Sequence, residues 1–277
     1  MRLAKRLAIA IPPVRRLVQQ RDELATRLSI ALAEADKLRE QAQLDQAQSE
    51  VRAAVARPEH SKLAWSHWGE DQIIDFVFAG HVEAGRYLDI GCYHPDLYSN
   101  TRLLHMKGWT GVNVDPNSFM IEEFNRVRPA DTNINGAVGP ENGTVEFHLF
   151  HDWASSNTTS GSFAEAISTA QNTAIARTTT VPMFTLDTIM ERYFTDAPPD
   201  FMNIDVEDVD IQAIQSNDWQ KYRPKVVAVE DFEFSVRHSP SPITDFMFQS
   251  GYTLFSRAVY TSLFIEDEFN SRTLKFK

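Results

Sequence analysis

The stretch "YLDIGCYHPDLYSNT" at residues 87–101 decides how this chain is expected to fold. An apolar run ends in Asp89 and is followed by Gly91, as at the turn after the first strand of a nucleotide-binding α/β unit. Loops that cradle a pyrophosphate continue with further glycines, because the backbone must approach the phosphates closely. Here "CYHP" follows Gly91 instead. The sequence therefore disfavours a pyrophosphate ligand and favours one with a ribose and a base but no phosphate, for which one close-approach glycine is enough.

Strand and helix patterns alternate around this stretch. The predicted strands are "RYLDIG" (86–91), "GVNVDP" (111–116), "TNINGAVG" (132–139), "FMNIDVE" (201–207) and "KVVAVED" (225–231). Helical patterns lie between them, at 99–109, at 118–128 and after 207, and the tail at 251–267 has the pattern of a hairpin. This alternation predicts an α/β fold with a mainly parallel sheet, helices on both faces and a C-terminal antiparallel hairpin.

Four acidic residues follow the apolar parts of the predicted strands. They are Asp89, Asp115, Asp205 and Glu230. Ligands of open α/β sheets bind beyond the carboxyl ends of the strands, so these side chains are expected to surround the ligand. Asp115, at the end of the second strand, is placed to hold both hydroxyls of a ribose. S-adenosylmethionine has the ribose and the base and lacks phosphates, and it is the ligand that this pattern predicts.

Composition narrows the class of protein. The chain has 277 residues, of which 43% are hydrophobic and 23% charged, which predicts one sizeable globular domain with an appendage. The formal net charge is −11: residues 1–57 carry 11 Lys and Arg against 7 Asp and Glu, and the remainder carries 16 against 31. The part of the chain after residue 57 is acidic enough to repel a phosphate backbone, which disfavours a nucleic-acid partner. The single cysteine, Cys92, excludes an internal disulfide and fits a reducing cytoplasm.

The first 57 residues are expected to form a helical extension. Residues 14–56 contain no glycine or proline and consist mainly of helix formers, with a moderate coiled-coil repeat. A solvated helix and a helix that mediates homo-oligomerisation or partner docking remain equal alternatives. Pro58 ends the pattern, which predicts two parts, 1–57 and a catalytic domain at 58–277. The basic, partly apolar start allows a peripheral contact with the inner face of the membrane, but no apolar run reaches the roughly 20 residues needed to span it.

Seven segments of the chain, taken together, resemble one protein family. They are "SHWGEDQIIDFVF", "YLDIGCYHPDLYSNT", "KGWTGVNVDPN", "FNRVRPADTNINGAVG", "TLDTI", "DFMNIDVEDVDIQAIQSNDWQKYRPKVVAVED" and "GYTLFSR". In this order, over residues 66–267, the chain resembles the FkbM family of S-adenosylmethionine-dependent methyltransferases, in particular its bacterial, polysaccharide-associated type. The resemblance implies a Rossmann-like class I methyltransferase fold. It also implies O-methyl transfer to an acceptor such as a sugar hydroxyl or a cell-surface glycan precursor.

The resemblance also implies roles for individual residues. It places in the cofactor site Glu70, Asp89, Gly91, Ser99, Asn100, Asp115, Asn117 and Asn135. Asp205 and Glu207 are expected to face the transferred methyl group and the acceptor. Asp205 is the first candidate for the general base and His67 the second, since an imidazole titrates near neutrality. The alternatives are that Asp205 only caps the following turn and that His67 caps a helix or packs on a neighbouring tryptophan.

Three positions depart from the family's usual pattern. His67 replaces a glutamine, Asn203 replaces a lysine or serine, and Asp208 replaces the glycine of "DVEG". Asp208 puts ordinary activity in question, because that glycine supplies backbone freedom, although aspartate tolerates left-handed geometry better than most residues. A non-catalytic scaffold with a methyltransferase-like fold and a coiled-coil arm is therefore the alternative function.

Two further hypotheses concern the surroundings of the site. The acids Asp205, Glu207 and Glu230 are candidate ligands for Mg²⁺, which some sugar methyltransferases use to orient a diol. The Ser- and Thr-rich segment at 155–180 is either a surface insertion or a lid over the site. A nicotinamide-dependent sugar enzyme is the third functional class, and the absence of further glycines after Gly91 weakens it.

Overall fold

The structure, a computed structural model, describes residues 62–234 and 241–273 together with Gln20 and Leu24. The chain divides into two units, Met1–Leu63 and Ala64–Lys277. The predicted helical extension at 1–57 and its coiled-coil repeat lie outside the described residues, apart from the two named. The division at 57/58 stays a prediction. In the described part of the chain, no helix has the length and apolar character that crossing a bilayer requires.

The second unit is built on a seven-stranded sheet. Its strands are β1 (Arg86–Ile90), β2 (Thr110–Asp115), β3 (Thr132–Asn135), β7 (Phe201–Ile204), β8 (Val226–Glu230), β9 (Tyr252–Ala258) and β10 (Thr261–Glu266). Their order across the sheet is β3-β2-β1-β7-β8-β10-β9. The first five are parallel to one another, and β10 runs antiparallel to both β8 and β9. The predicted parallel sheet with a C-terminal antiparallel hairpin is confirmed.

Eight helices accompany the sheet in the described residues. They are α1 (Glu70–Phe78), α2 (Arg102–Met106), α3 (Ser118–Val127), α4 (Gly161–Gln171), α5 (Leu186–Tyr193), α6 (Asp210–Gln215), α7 (Pro242–Gln249) and α8 (Asp267–Thr273). Four begin at a residue whose side-chain oxygen accepts a hydrogen bond from a backbone N–H of the first turn: Asn117, Ser160, Thr185 and Ser241. Such a cap stabilises a helix by about 1 kcal/mol, so these residues fix where the helices start.

Two apolar layers cover the two faces of the sheet. In β1, Leu88 and Ile90 join the layer that includes residues of α5, α6 and α7. Tyr87 points to the other face, where it packs with residues of α1 and with Trp109. This alternation follows from the two-residue period of a strand. The predicted helices on both faces are confirmed, and each large apolar side chain buried there contributes roughly 1.5–3 kcal/mol.

A second, three-stranded sheet was not anticipated from the sequence. Its strands are β4 (Ala137–Val138), β5 (Gly143–Leu149) and β6 (Arg177–Phe184), in the order β4-β6-β5. The predicted strand at 132–139 is therefore two strands, of which β3 belongs to the large sheet and β4 to the small one. Gly136 separates them, and a Cβ there would lie 2.7 Å from the Phe184 ring. The glycine lets the chain turn from one sheet to the other against an aromatic side chain.

Candidate active site

The carboxyl ends of β1, β2, β7 and β8 open into a cavity of about 280 Å³. The order of the strands reverses between β1 and β7, which is where open α/β sheets bind ligands. The volume lies near the lower end of the range of roughly 300–1,000 Å³ typical of ligand sites. Most of the predicted site residues line this cavity: His67, Glu70, Asp89, Gly91, Ser99, Asn100, Asp115, Asn117, Asp205, Glu207 and Glu230.

Gly91 allows two loops to touch at the floor of the cavity. Its φ is +71°, and an added Cβ would lie 1.6 Å from the carbonyl oxygen of Asp205. The Asp205 N–H in turn donates to the carbonyl of Ile90 at 3.0 Å. Any side chain at position 91 would push these loops apart, so glycine is required here by packing as well as by conformation. Cys92 is buried against Ile121 and Phe124, as expected for a packed thiol.

Asp115 presents an oriented carboxylate to the cavity. Its two oxygens accept hydrogen bonds from the backbone N–H groups of Tyr93 and Asn117, at 2.9 and 2.8 Å. Burial raises the pKa of Asp115 to about 7, with these two N–H groups opposing the rise. Each oxygen keeps a lone pair after these bonds, and those lone pairs are available to ribose hydroxyls.

Asn117 and Asn135 support this carboxylate from outside. Asn117 caps α3 by accepting from the Phe119 N–H, and its Nδ2 donates to the carbonyl of Asp152 at 2.7 Å. Asn135 is the predicted site residue that does not line the cavity. Its Nδ2 donates to the carbonyls of Asp115 and Pro116, at 3.1 and 2.9 Å. Both amides hold the end of β2 in place, and for Asn135 the geometry favours support of the backbone over contact with a ligand.

A buried polar chain crosses from β1 to β7. The Asp89 carboxylate accepts from the Thr101 hydroxyl at 2.6 Å and from the Asn203 Nδ2 at 2.9 Å. The Asn203 Oδ1 accepts from the Asn100 Nδ2 at 2.8 Å, while the Asn100 Oδ1 is buried and has no protein donor. Asn100 is among the residues that line the cavity. Leaving a buried acceptor unpaired costs about 1–3 kcal/mol. A ligand ammonium group would satisfy it.

Arg128 is a residue of this network that the sequence analysis missed. Its guanidinium is fully buried and donates to the Thr101 hydroxyl at 2.9 Å, to the Ser99 hydroxyl at 3.0 Å and to the carbonyl of Pro95. It therefore ties down the loop that follows Gly91. Burial raises the pKa of Asp89, and the nearby positive charge of Arg128 opposes that rise. The sequence around Arg128 gives no sign of this role, because the segment has the pattern of a solvated helix end.

Three carboxyl groups meet at the ends of β7 and β8. Burial raises the pKa of Asp205 to about 6, of Glu207 to about 9 and of Glu230 to about 10. The neighbouring Glu230 carboxyl group opposes the rise in the pKa of Asp205, and the charged groups that act on Glu207 are all acidic. At neutral pH, Glu207 and Glu230 therefore hold protons while Asp205 is ionised. Among these three groups, one is a carboxylate that can accept a proton and two are carboxylic acids that can donate hydrogen bonds.

The Mg²⁺ hypothesis finds no support in this geometry. Across residues 62–234 and 241–273, no group of three or more His, Cys, Asp or Glu side chains is arranged to hold a metal ion.

A comparison with protein-family models shows which family this chain belongs to. The family model "Methyltransferase FkbM domain" matches residues 89–254, more than half of the chain. The chain belongs to the FkbM methyltransferase family. The resemblance stated from the sequence is confirmed at the level of the family. A search of curated proteins finds no match.

The FkbM match covers the sheet from the end of β1 to β9 and leaves His67 and Glu70 outside it. Both of these residues nonetheless line the cavity. Methyltransferases of such families generally use S-adenosylmethionine. The oriented Asp115 and the unpaired Asn100 Oδ1 fit that ligand, because they would bind its ribose and its ammonium group. Gly91 lets the loop after β1 pack against Asp205 beside them.

The departures from the usual FkbM pattern have local explanations. Asn203 both donates and accepts within the polar chain, which a lysine cannot do. His67 is exposed and stacks on Trp68, with ring centroids 4.3 Å apart, as one of the alternatives proposed. Asp208 has a φ of +80° and accepts from the Ser160 hydroxyl at 3.0 Å. The aspartate thus adopts the left-handed conformation for which the family uses glycine, and it gains a contact in doing so.

The Ser- and Thr-rich segment lies against the cavity. Thr158 and its neighbours at 154–159 contribute to the lining. On one side the Tyr93 hydroxyl donates to the carbonyl of Trp153 at 2.9 Å, and on the other the Thr158 hydroxyl donates to the carbonyl of Glu207 at 3.0 Å. The segment bridges the loops after β1 and β7, which is the placement expected of a cover over the site.

Proposed function

We propose that this protein is an S-adenosylmethionine-dependent O-methyltransferase that acts on a hydroxyl of a sugar or cell-surface glycan precursor. The observation that carries the proposal is that Asp115, Asn100 and the ionised Asp205 open into one cavity. The first two suit the donor, and the third suits removal of a proton from the acceptor. Membership of the FkbM family supports the reaction class, and the saccharide acceptor is the finer part of the proposal.

The donor would be held by groups that the fold has already oriented. Asp115 would accept from the ribose hydroxyls, Gly91 would allow the backbone to approach, and the Asn100 Oδ1 would accept from the ammonium group. When bound, S-adenosylmethionine supplies a methyl group whose bond to sulfur breaks as its bond to the acceptor oxygen forms. Orientation of the reactants by such sites lowers barriers by several kcal/mol.

Asp205 would accept the proton of the acceptor hydroxyl. It is the carboxyl group of the cluster that is ionised at neutral pH, and the neighbouring Glu230 carboxyl group favours that form. A positioned base accelerates such reactions by about 10²- to 10⁴-fold. The protonated Glu207 can donate a hydrogen bond to a second oxygen of the acceptor, which would fix its orientation.

The other functional classes are less well supported. A nicotinamide cofactor would bring its pyrophosphate among several carboxyl groups, and no Lys or Arg lines the cavity in the described part of the chain. A non-catalytic scaffold would not account for the unpaired Asn100 Oδ1 or for an ionised Asp205 beside two protonated carboxyl groups. A cytoplasmic location remains part of the proposal. Membrane contact or homo-oligomerisation through the N-terminal helix concerns residues outside the described part.

Calorimetry with S-adenosylmethionine, combined with tritium transfer from the labelled donor into a cell-envelope extract, tests the proposal. Asp115→Ala is expected to weaken donor binding, because it removes the acceptor of the ribose hydroxyls. Asp205→Asn is expected to keep binding and to reduce methyl transfer about 10²- to 10⁴-fold. Glu122→Gln, which changes an exposed acid on α3, is the control and should leave both unchanged.

Three results would count against this assignment. Equal loss of donor binding in Asp115→Ala and Asp205→Asn would show that the two acids do not divide the roles. An absence of any heat of binding would favour the scaffold. Thermal protection by NAD and not by S-adenosylmethionine would favour the nicotinamide enzyme.

A further inference from the structure

Exposed aromatic side chains are concentrated at the mouth of the cavity. Trp68, Tyr98, Phe232 and Tyr260 all line it and are 46–54% exposed. They make up four of the nine exposed large hydrophobic side chains in the described residues. Large exposed aromatic surface at a cavity mouth marks a binding site more often than a surface feature without function.

These aromatics form two walls. The first consists of Trp68, His67 and Tyr98, with centroids 4.3 Å apart for Trp68 and His67 and 4.5 Å apart for His67 and Tyr98. The second consists of Phe232 and Tyr260, whose centroids are 5.0 Å apart. Both walls extend the lining that also contains the carboxyl cluster. A ligand between them would reach Asp205 and its neighbours.

Strained backbone holds residues of both walls in place. Tyr98 has a φ of +54°, and Val259, beside Tyr260 at the tip of the β9–β10 hairpin, has a φ of +51°. Such conformations cost on the order of 1–3 kcal/mol for bulky or β-branched residues, and they cluster at functional sites. Ser99, next to Tyr98, is also held by the buried Arg128.

Glu70 connects the two walls. Its Oε2 accepts from the backbone N–H of Trp68 at 2.7 Å, and its Oε1 accepts from the hydroxyl of Thr261, next to Tyr260, at 3.1 Å. The side chain is buried, and both oxygens are used in these bonds. Glu70 therefore acts on the mouth of the cavity, in addition to any contact with the donor.

The side chains of the lining limit what can bind between the walls. The described lining contains four carboxyl groups near the walls, those of Glu70, Asp205, Glu207 and Glu230, and no Lys or Arg to compensate a ligand's negative charge. A phosphate, pyrophosphate or uronate group would be desolvated there without a partner. An uncharged polyol avoids this cost, because its C–H faces cover aromatic rings and its hydroxyls pair with carboxyl groups.

We propose that the two aromatic walls are the acceptor subsite and that they take an uncharged saccharide, and neither a sugar phosphate nor a nucleotide-linked sugar. In this arrangement Trp68 and Tyr260 stack on opposite sides of the acceptor, and Glu70 is a positioning residue that sets their separation. The inference rests on the proposed function, because it names the acceptor class for the same site.

Saturation-transfer NMR on the full chain tests the subsite with defined probes. The probes are methyl glycosides of neutral hexoses, the matching hexose 1-phosphates and uridine-diphosphate hexoses, each with and without S-adenosylhomocysteine. The neutral glycosides are expected to bind best, with the strongest transfer to ring C–H protons. Trp68→Ala and Tyr260→Ala should each weaken this binding up to about tenfold, whereas Phe248→Ala, an exposed aromatic that does not line the cavity, should not.

Glu70 variants test the positioning role. Glu70→Ala should weaken glycoside binding, while Glu70→Gln should restore it, since an amide can bridge the Trp68 N–H and the Thr261 hydroxyl. Rescue by the amide distinguishes a positioning role from a requirement for the negative charge of Glu70. Glycoside binding that is as weak in Glu70→Gln as in Glu70→Ala would overturn the positioning role.

Other outcomes separate the subsite from the proposed function. Equal or tighter binding of the charged sugars, no binding of any neutral glycoside, or wild-type affinity in Trp68→Ala and Tyr260→Ala would overturn the subsite, even if donor binding and methyl transfer are found. Absence of donor binding would instead refute the proposed reaction. Because glycoside binding is also measured without S-adenosylhomocysteine, it tests the walls independently.

Discussion

Two arginines at the end of α3 show how differently one residue type acts in this protein. Arg126 is exposed and pairs with Glu123 one turn earlier. Arg128 is fully buried and is the positive charge that acts on Asp89. Surface pairs contribute little to stability, whereas removing one partner from a buried charge network leaves the other charge uncompensated. The residue that anchors the first loop is therefore Arg128.

Arg128→Gln is expected to lower the free energy of unfolding by about 3–5 kcal/mol, because Thr101 and Ser99 lose a buried donor and Asp89 loses a nearby positive charge. Arg126→Gln is the matched control and should leave the urea midpoint unchanged. Tryptophan fluorescence during urea denaturation measures both. Similar midpoints for the two variants would mean that Arg128 is not essential to the network.

Some residues of the site could be predicted from the sequence, and others could not. Asp89, Gly91 and Asp115 lie at the ends of strands, where the alternation of elements already predicts a ligand. Arg128 escaped notice because the helical pattern does not show which of two nearby arginines turns inward at a helix end. The sequence also does not predict which of the carboxyl groups has the lowest pKa, because burial and the contact between β7 and β8 determine this order.

At the scale of elements, the segment covering the cavity is fastened to a strained loop. Ser160, which caps α4, donates to Asp208, and both Glu207 and Asp208 have positive φ. Two consecutive non-glycine residues in this conformation store strain that glycine would not. The loop after β7 therefore has an unfavourable backbone conformation at Glu207 and Asp208, and it also accepts a hydrogen bond from Ser160 of the covering segment.

Replacements of Asp208 separate these two effects. Asp208→Ala and Asp208→Gly both lose the bond from Ser160, but Asp208→Gly is expected to be the more stable by about 1 kcal/mol, since only glycine adopts φ +80° freely. The same pair of changes at Glu165, within α4, should give the opposite order, because glycine destabilises a helix interior by up to about 1 kcal/mol relative to alanine. Urea denaturation measures all four variants. Equal stability of the two Asp208 variants would show that the left-handed conformation carries no strain there.

The elements themselves were predictable where the pattern was strong. Four of the five parallel strands of the large sheet, β1, β2, β7 and β8, are short, largely apolar and have an acid at or near their carboxyl ends. The small sheet was missed although Val145, Phe147 and Leu149 alternate along β5 and pack together. Its central strand β6 is half exposed and contains three consecutive threonines, so its own alternation is weak. The break at Gly136 was also invisible, because its cause is the Phe184 ring from a strand almost fifty residues later.

At the scale of the whole molecule, the pH dependence of stability is expected to reflect the carboxyl groups that the fold buries at the cavity. Burial raises the pKa values of Asp205, Asp115, Glu207 and Glu230 to about 6, 7, 9 and 10, whereas unfolded chains lose these protons near pH 4. The folded state therefore binds more protons than the unfolded state above that pH. The stability that these groups contribute is fully present below about pH 4 and is lost as the pH rises through 6 to 10.

The ligand-free protein is accordingly expected to lose thermal stability steadily between pH 6 and 10, at about 1.4 kcal/mol per pH unit for each extra proton held. Glu207→Gln should flatten this dependence below pH 9, while Glu122→Gln, at an exposed position on α3, should not. Saturating S-adenosylmethionine should raise the unfolding temperature more at pH 9 than at pH 6, because its sulfonium charge favours the ionised carboxyl groups, and S-adenosylhomocysteine should do so less. Calorimetric melting at four pH values measures each effect. Two results together would contradict this prediction: a pH dependence that is unchanged in Glu207→Gln, and equal stabilisation by the two ligands at every pH. They would mean that the cavity acids are already ionised in the folded state. Asp205 would then have no protonated neighbours to distinguish it as the base.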